Sequence, residues 1–281
     1  MNINVYKVRR IVGKILMHGL MITLSFLVLM PLLLGLSVSL QTRTQVFSYP
    51  PSFVPSTLYF GNYADAWRLG NLGRLLLNSL LASSIVMLGK LITGVTSGYA
   101  FSHFEFKGKG FFFIAVIITL MLPMQIMVVP LFELVSRLGS ANRLSGLVFP
   151  FLASATTTFL LRQHFLTIPK ELLEAAQIDG CGPIKFLLQI LIPLSGPSLA
   201  GLATINFLTM WNAYLWPLVV INSDKQTVIQ QGVKMMFASA TEREWGIIMA
   251  ATITAVIPPL LVFLLSQRFF VQGIATQGIK E

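Results

Sequence analysis

The run PKELLEAAQIDGCGPIKFLLQILIP (169–193) brings Glu174, Ala175, Ala176, Asp179 and Gly180 together between two long apolar stretches. A carboxylate, paired small side chains and a glycine at this spacing suit contact better than bond-making. Leu172, Leu173, Ala175, Ala176 and Ile178 give the run a mostly short-side-chained apolar surface, which suits docking in a partner's cleft. The same run also suits an amphipathic helix resting on lipid headgroups. Lys90 raises a different question, because it falls near the middle of an apolar stretch at 73–101. A charge at membrane depth is costly and often functional. It either faces a polar path, where it attracts an anionic solute, or snorkels and pairs inside a bundle. Trp211, Asn212, Tyr214 and Trp216 cluster in WNAYLW. Aromatic rings there could stack on sugar faces while the amide bonds hydroxyls, or the group could form an interfacial belt. Gln125, beside Pro123, is a further polar candidate for a solute path.

Other chemistries find little support. His18, His103 and His164 are far apart and lack metal-ligand spacing, which suits interfacial packing. Cys181 is the only cysteine, so no intrachain disulfide can form, and a structural role is expected. Glu133 and Arg137 are four apart, as in a local helix pair. The phosphate-cradling G-x-x-x-x-G-K-[ST] pattern does not occur, and GKLITG (89–94) does not fit it. The sequence therefore offers no phosphate-cradling loop of that kind. An intramembrane hydrolase needs a Ser/His or paired-carboxylate constellation at membrane depth. GLSVS (35–39) has no well-placed histidine, and Glu133 is the one acid placed at depth. A secondary transporter usually shows internal repeats, and none stands out here.

The elements that must position these residues are membrane spans. Of 281 residues, 55% are hydrophobic and only 11% charged, and the mean hydropathy is +0.77. Soluble domains carry about 25% charged residues, so the composition is that of an integral membrane protein. The net charge of +10 is spread thinly between apolar spans. It fits positive-inside topology and anionic lipid rather than nucleic acid. A helix crosses a bilayer in roughly 20 apolar residues. Six stretches qualify, at about 15–40, 73–101, 110–134, 144–166, 194–221 and 246–270. The first is too long for a cleaved signal and is expected to remain as a span. Small residues and interior prolines in the others suit spans packed in a bundle.

Lys7, Arg9, Arg10 and Lys14 precede the first span, which predicts a cytoplasmic N-terminus and, after six spans, a cytoplasmic C-terminus. On that topology eleven Lys and Arg, including Lys280, lie inside, and eight, including Arg243, lie outside. The segments 41–72 and 222–245 become outer loops, and 167–193 the longest inner connection. Within it, Pro169 starts a helix and Glu171 and Glu174 favour its early turns. Gly180 and Gly182 end that helix, and Pro183 starts another. The expectation is two short helices joined by a sharp glycine turn.

EAAQIDG, followed nine residues later by ILIP, resembles the EAA loop of ATP-binding-cassette (ABC) importer permeases. The matching positions are Glu174, Ala175, Ala176, Gly180, Ile190, Ile192 and Pro193, with Ile192 in place of the family's leucine. Cys181 stands where related sugar permeases often have alanine. NSL (78–80), GYAFSHFEFKGK (98–109), TFLLRQHFLTIP (158–169), WNAYLWPL (211–218) and QRFFVQGIATQGIK (267–280) resemble carbohydrate-uptake permeases of the maltose type. LMLPMQ (120–125) and ASATTTFLLRQHF (153–165) are similar to the glycerol-3-phosphate branch.

The resemblance implies an all-α polytopic membrane protein of six transmembrane helices with a cytoplasmic EAA coupling hairpin, the type I importer permease fold. It implies an N-terminal part at 1–70, a transmembrane core at 71–270 containing the 167–193 loop, and a cytoplasmic tail at 271–281. The implied function is import of a sugar or sugar-like solute across the inner membrane. Glycerol-3-phosphate or a related polyol phosphate is the alternative solute, and an intramembrane enzyme the alternative of another class. The implied partners are a second permease, two ATP-binding subunits that hold ATP and Mg, and an external solute-binding protein. No cofactor is expected on this chain. Glu174 would be the polar anchor of the hairpin, Gly180 its turn, Ala175 and Ala176 its small faces, and Asp179 a helper. Gln125, Trp211, Asn212 and Lys90 would line the substrate path, with the second permease sharing the solute contacts.

Overall fold

In lipid, backbone groups must be bonded within their own segment, so long apolar runs fold as helices. The computed structural model describes residues 2–239 and 244–277, and no strand occurs among them. Four helices are long and apolar enough to cross a membrane alone: Arg10–Ser39, Leu72–His103, Leu144–Leu166 and Trp245–Phe269. Two bent pairs complete six spans: Lys109–Thr119 with Met124–Arg137, and Pro183–Leu194 with Gly196–Trp211. The protein is thus an all-α, six-span fold in which two of the spans are broken.

The breaks depart from the sequence expectation of continuous helices at 110–134 and 194–221. The first pair bends by 103°. Pro123 sits at the break in extended backbone (φ −69°, ψ 138°), capping the second helix. The first helix ends at Thr119, a turn at 120–122 follows, and Pro123, which disfavours helix at the residue before it, keeps the chain out of helix until it restarts at Met124. Pro130 lies inside Met124–Arg137 and is tolerated there. The second pair bends by 81° at Ser195. Gly196–Trp211 then stops well short of 221, and a separate helix, Leu215–Val220, follows. Pro258 and Pro259, by contrast, lie inside the unbroken Trp245–Gln277 helix. The expected outer loops also carry helices, Gly61–Leu69 in the first and Ile229–Ser239 in the second. Arg243, Lys280 and the end of the predicted tail (278–281) lie outside the described residues.

Internal contacts divide the chain into two units. The first combines Met1–Asn71 with Met235–Thr254, so the start of the last long helix groups with the N-terminal part. Gly35 of the first span packs against Met249 and Ile253. The Asn62 amide donates to the Ser39 and Gln41 carbonyls at 2.9 and 2.8 Å, which pins Gly61–Leu69 to the end of the first span.

The second unit, Leu72–Lys234 with Ala255–Glu281, is organised by Leu72–His103. This helix packs on Ala155–Leu166 and Gly196–Trp211. Its buried positions include Leu75, Ser79, Ala82, Ser83, Val86, Gly94, Val95, Gly98 and Tyr99. That stripe repeats every three or four residues, and much of it is small or hydroxylated. Leu77, Leu81, Leu88 and Ile92 point outward. The pattern inverts that of a soluble helix because lipid is as apolar as leucine, so close approach rather than hydrophobicity selects the buried face. Ser97 and Thr158 exchange a hydroxyl hydrogen bond at 2.8 Å across this contact.

Candidate functional site

The predicted hairpin forms. Lys170–Ile178 is its first helix, entered from Pro169 in extended backbone, with Glu171 in the first turn. It closes through a Schellman motif: Cys181 N–H donates to Ala176 O at 2.8 Å, and Gly180 N–H to Gln177 O at 3.0 Å. Gly180 has φ +73°, the left-handed conformation that favours a residue without Cβ. Pro183 then opens the short helix Pro183–Phe186.

The two faces of the hairpin differ. Ala176 is 6% exposed and belongs to a cluster with Tyr99, Leu161, Phe165, Phe186, Leu187, Leu191 and Leu202, against which Leu173 and Cys181 also pack. The Tyr99 hydroxyl donates to Pro183 O at 3.2 Å, and its ring stacks on Phe186 at 6.3 Å between centroids. These contacts seat the inner face of the hairpin on Leu72–His103 and Ala155–Leu166. The outer face carries Glu171, Glu174, Ala175, Asp179 and Gly180, all exposed.

Glu174, Ala175, Asp179 and Gly180 therefore share one exposed surface, and Ala176 faces the protein's own core. Two side chains not named among the coupling residues protrude beside them: Ile178, part of the expected apolar surface, is 87% exposed, and Ile184 74%. The available signal was spacing, since Ile178 is four residues after Glu174 and so shares its helix face.

Of the predicted path residues, Lys90 lines a cavity of about 310 Å³ together with Met124, Phe151, Thr209, Tyr214 and Trp216. No hydrogen bond or ion pair ties its ammonium to the described residues. An unpaired ammonium at membrane depth costs roughly 2.5–3.5 kcal/mol on insertion scales. The other three predicted path residues lie elsewhere. Gln125 is exposed and does not line this cavity, although its neighbour Met124 does. Trp211 is 2% exposed and stacks on Phe207 at 5.7 Å. Asn212 caps the helix end and accepts from Gln230 Nε2 at 3.3 Å. Trp216 is also buried, and its indole donates to Gly146 O at 3.3 Å.

The other polar residues singled out in the sequence make local contacts. Arg137 donates to Glu133 at 2.6 Å on an exposed helix face. His103 bonds the Ser102 hydroxyl at 2.7 Å and His164 that of Ser198 at 3.1 Å. Among the described residues, no group of three or more His, Cys, Asp or Glu is placed to hold a metal ion.

Comparison with known proteins agrees with this architecture. A family model described as binding-protein-dependent transport system inner membrane component matches residues 90–276. The chain is 38% identical over 264 residues to the sn-glycerol-3-phosphate transport system permease protein UgpE of Pectobacterium atrosepticum, covering 92% of this chain and 94% of the relative. It is 39% identical over 274 residues to the protein of the same name from Brucella melitensis, covering 95% and 97%. Among solved structures, a chain of a bacterial ABC transporter involved in the import of the acidic polysaccharide alginate superposes with a TM-score of 0.83. That match covers 93% of this chain and 97% of the other at 22% identity, a likeness of fold.

Proposed function

The chain belongs to the binding-protein-dependent transport system inner membrane component family, a multi-pass permease of an ABC importer, and on that premise we propose that its 169–193 hairpin couples solute passage to a separate ATPase. The observation that carries this reading is the two-faced hairpin. Its outer face presents Glu174, Ala175, Ile178 and Asp179, and its inner face is packed and hydrogen-bonded onto two span helices. A knob free on one side and locked on the other can transmit a push. Glu174 anchors the hairpin in a cleft of the ATPase, Ala175 admits close backbone approach, and Gly180 holds the turn. Ala176 lets the hairpin sit close to its own spans. ATP and Mg bind to a pair of partner ATP-binding subunits, and this chain holds no cofactor. Closure of that pair displaces the hairpin as a rigid body and switches the spans between inward- and outward-facing states.

A second, similar permease completes the path, and an external solute-binding protein delivers the solute. The names of the relatives favour sn-glycerol-3-phosphate, the alternative of the sequence reading, as the solute. The wider resemblance to sugar permeases keeps neutral carbohydrates as the competing outcome. On this account Lys90 meets the solute, whereas Trp211 acts from the core, packed on Phe207, and Gln125 and Asn212 stand outside the lining of the Lys90 cavity. The test is reconstitution of the complex with its binding protein and measurement of ATP-dependent uptake. Glycerol-3-phosphate uptake supports the substrate assignment, and uptake of a neutral sugar alone contradicts it.

The same reading places both termini and the hairpin in the cytoplasm. An impermeant thiol reagent applied to intact cells is then expected to leave native Cys181 unlabelled and to label Ser56→Cys and Ser223→Cys. Labelling of Cys181 from outside would reverse the orientation and remove the coupling role.

A further inference from the structure

We propose that the Lys90 cavity is a transient mid-membrane subsite for the anionic head of the solute, and that Lys90 makes this permease select phosphate-bearing over neutral polyols. The inference rests on the glycerol-3-phosphate reading and adds to it a place and a residue. Lys90 is the nineteenth residue of the Leu72–His103 helix, so its ammonium is far from either end of that helix. The cavity of about 310 Å³ lies at the small end of the roughly 300–1,000 Å³ of small-molecule pockets.

Its walls are mostly apolar, from Met124, Phe151 and the buried Trp216. The indole N–H of Trp216 is already committed to Gly146 O. The Thr209 hydroxyl donates to Ile205 O at 2.7 Å, which leaves its oxygen only as an acceptor. The ammonium of Lys90 and the hydroxyl of Tyr214 are then the donors open to a ligand.

One positive charge beside apolar walls attracts an anion more strongly than it would in bulk water. Lysine recognises phosphate as a point charge without imposing bidentate geometry. A site with one such charge holds a phosphate long enough to admit it and weakly enough to release it. A neutral sugar entering the same pocket could accept a hydrogen bond from the ammonium but would lack the charge attraction.

The test uses the complete importer in proteoliposomes, with the wild type, Lys90→Met and Lys90→Arg compared. Initial uptake of radiolabelled glycerol-3-phosphate is measured per assembled complex, with ATPase stimulation by the loaded binding protein as a second readout. Lys90→Met is expected to cut uptake about tenfold or more with assembly unchanged, and Lys90→Arg to recover most of it. Uptake by Lys90→Met at the wild-type rate overturns the subsite and leaves the importer reading standing. Equal loss of assembly in both variants also overturns it, in favour of a structural pairing. A wild type that carries only a neutral sugar overturns the substrate assignment and the subsite together.

Discussion

Gly180→Pro is expected to abolish solute uptake while leaving the permease inserted in the membrane. Gly180 has φ +73°, whereas proline is held near φ −65°. Gly180 also donates its N–H to Gln177 O, a bond that proline cannot make. The Schellman closure would open, and the distance between the outer face of Lys170–Ile178 and the helix at Pro183 would change. The damage is confined to a segment outside the spans. Gly180→Ala keeps the N–H and meets no neighbour within 4 Å of its new Cβ. It carries only the left-handed penalty of about 1–2 kcal/mol, so partial uptake is expected. Glu174→Lys leaves the hairpin folded, because Glu174 is exposed, and reverses its anchor charge. Losing a buried charge pair at an interface costs about 2–5 kcal/mol, so uptake should fall by about tenfold or more. Transport normalised to inserted protein should rank wild type, then Gly180→Ala, then the other two. Normal uptake in both Gly180→Pro and Glu174→Lys would end the coupling account.

Gly98→Leu is expected to fail earlier, in folding. A Cβ built at Gly98 lies 3.1 Å from Arg162 N and 3.1 Å from Leu161 Cβ. The first of these is backbone, which cannot rotate away. Gly94, one turn earlier, is similarly close to Thr157. The Leu72–His103 and Ala155–Leu166 helices therefore touch almost backbone to backbone, and the Ser97–Thr158 bond depends on that approach. Overpacking a well-fitted contact costs about 1–3 kcal/mol, and a leucine against backbone sits at or above the upper end. No hydrophobic force drives helices together in lipid, so this loss of packing has little to offset it. Membrane abundance should fall severalfold. Gly13→Leu is the control: nothing lies within 4 Å of its Cβ, and the variant should accumulate normally. Equal abundance of the two variants would show that this close approach does not stabilise the fold.

Much of this arrangement was legible in the residues, and the rest was hidden for physical reasons. Hydropathy located the spans because it sums over a segment. It could not separate Pro123, which breaks a helix, from Pro130, Pro258 and Pro259, which helices absorb. Whether neighbours satisfy the freed carbonyl is a tertiary matter. The hairpin was legible because Pro169, Gly180 and Pro183 act locally through φ and a missing N–H. The roles of the two alanines were not. Ala175 and Ala176 are adjacent and identical, and only the packing of Tyr99, Phe165 and Phe186 shows that Ala176 faces inward. Trp211 gave an ambiguous signal for the same reason. An aromatic in an apolar run reads alike whether it faces lipid, solute or core, and its 2% exposure places it in the core. Lys90 stood out in the sequence because charge is rare at membrane depth, and its lack of a partner among the described residues needed coordinates to be seen.

The central claim is that the exposed face of the hairpin meets an ATPase. The most direct measurement is a zero-length test of contact: a photo-reactive residue in place of Ile178, illuminated in the assembled, transporting complex. The account predicts a covalent adduct with the ATP-binding subunit, whose yield changes when ATP is trapped before hydrolysis. A control at Leu88, which faces outward from the Leu72–His103 helix, should give no such adduct. If transport is intact and Ile178 cross-links only to lipid, or to the ATP-binding subunit no more than Leu88 does, the hairpin is not the coupling element.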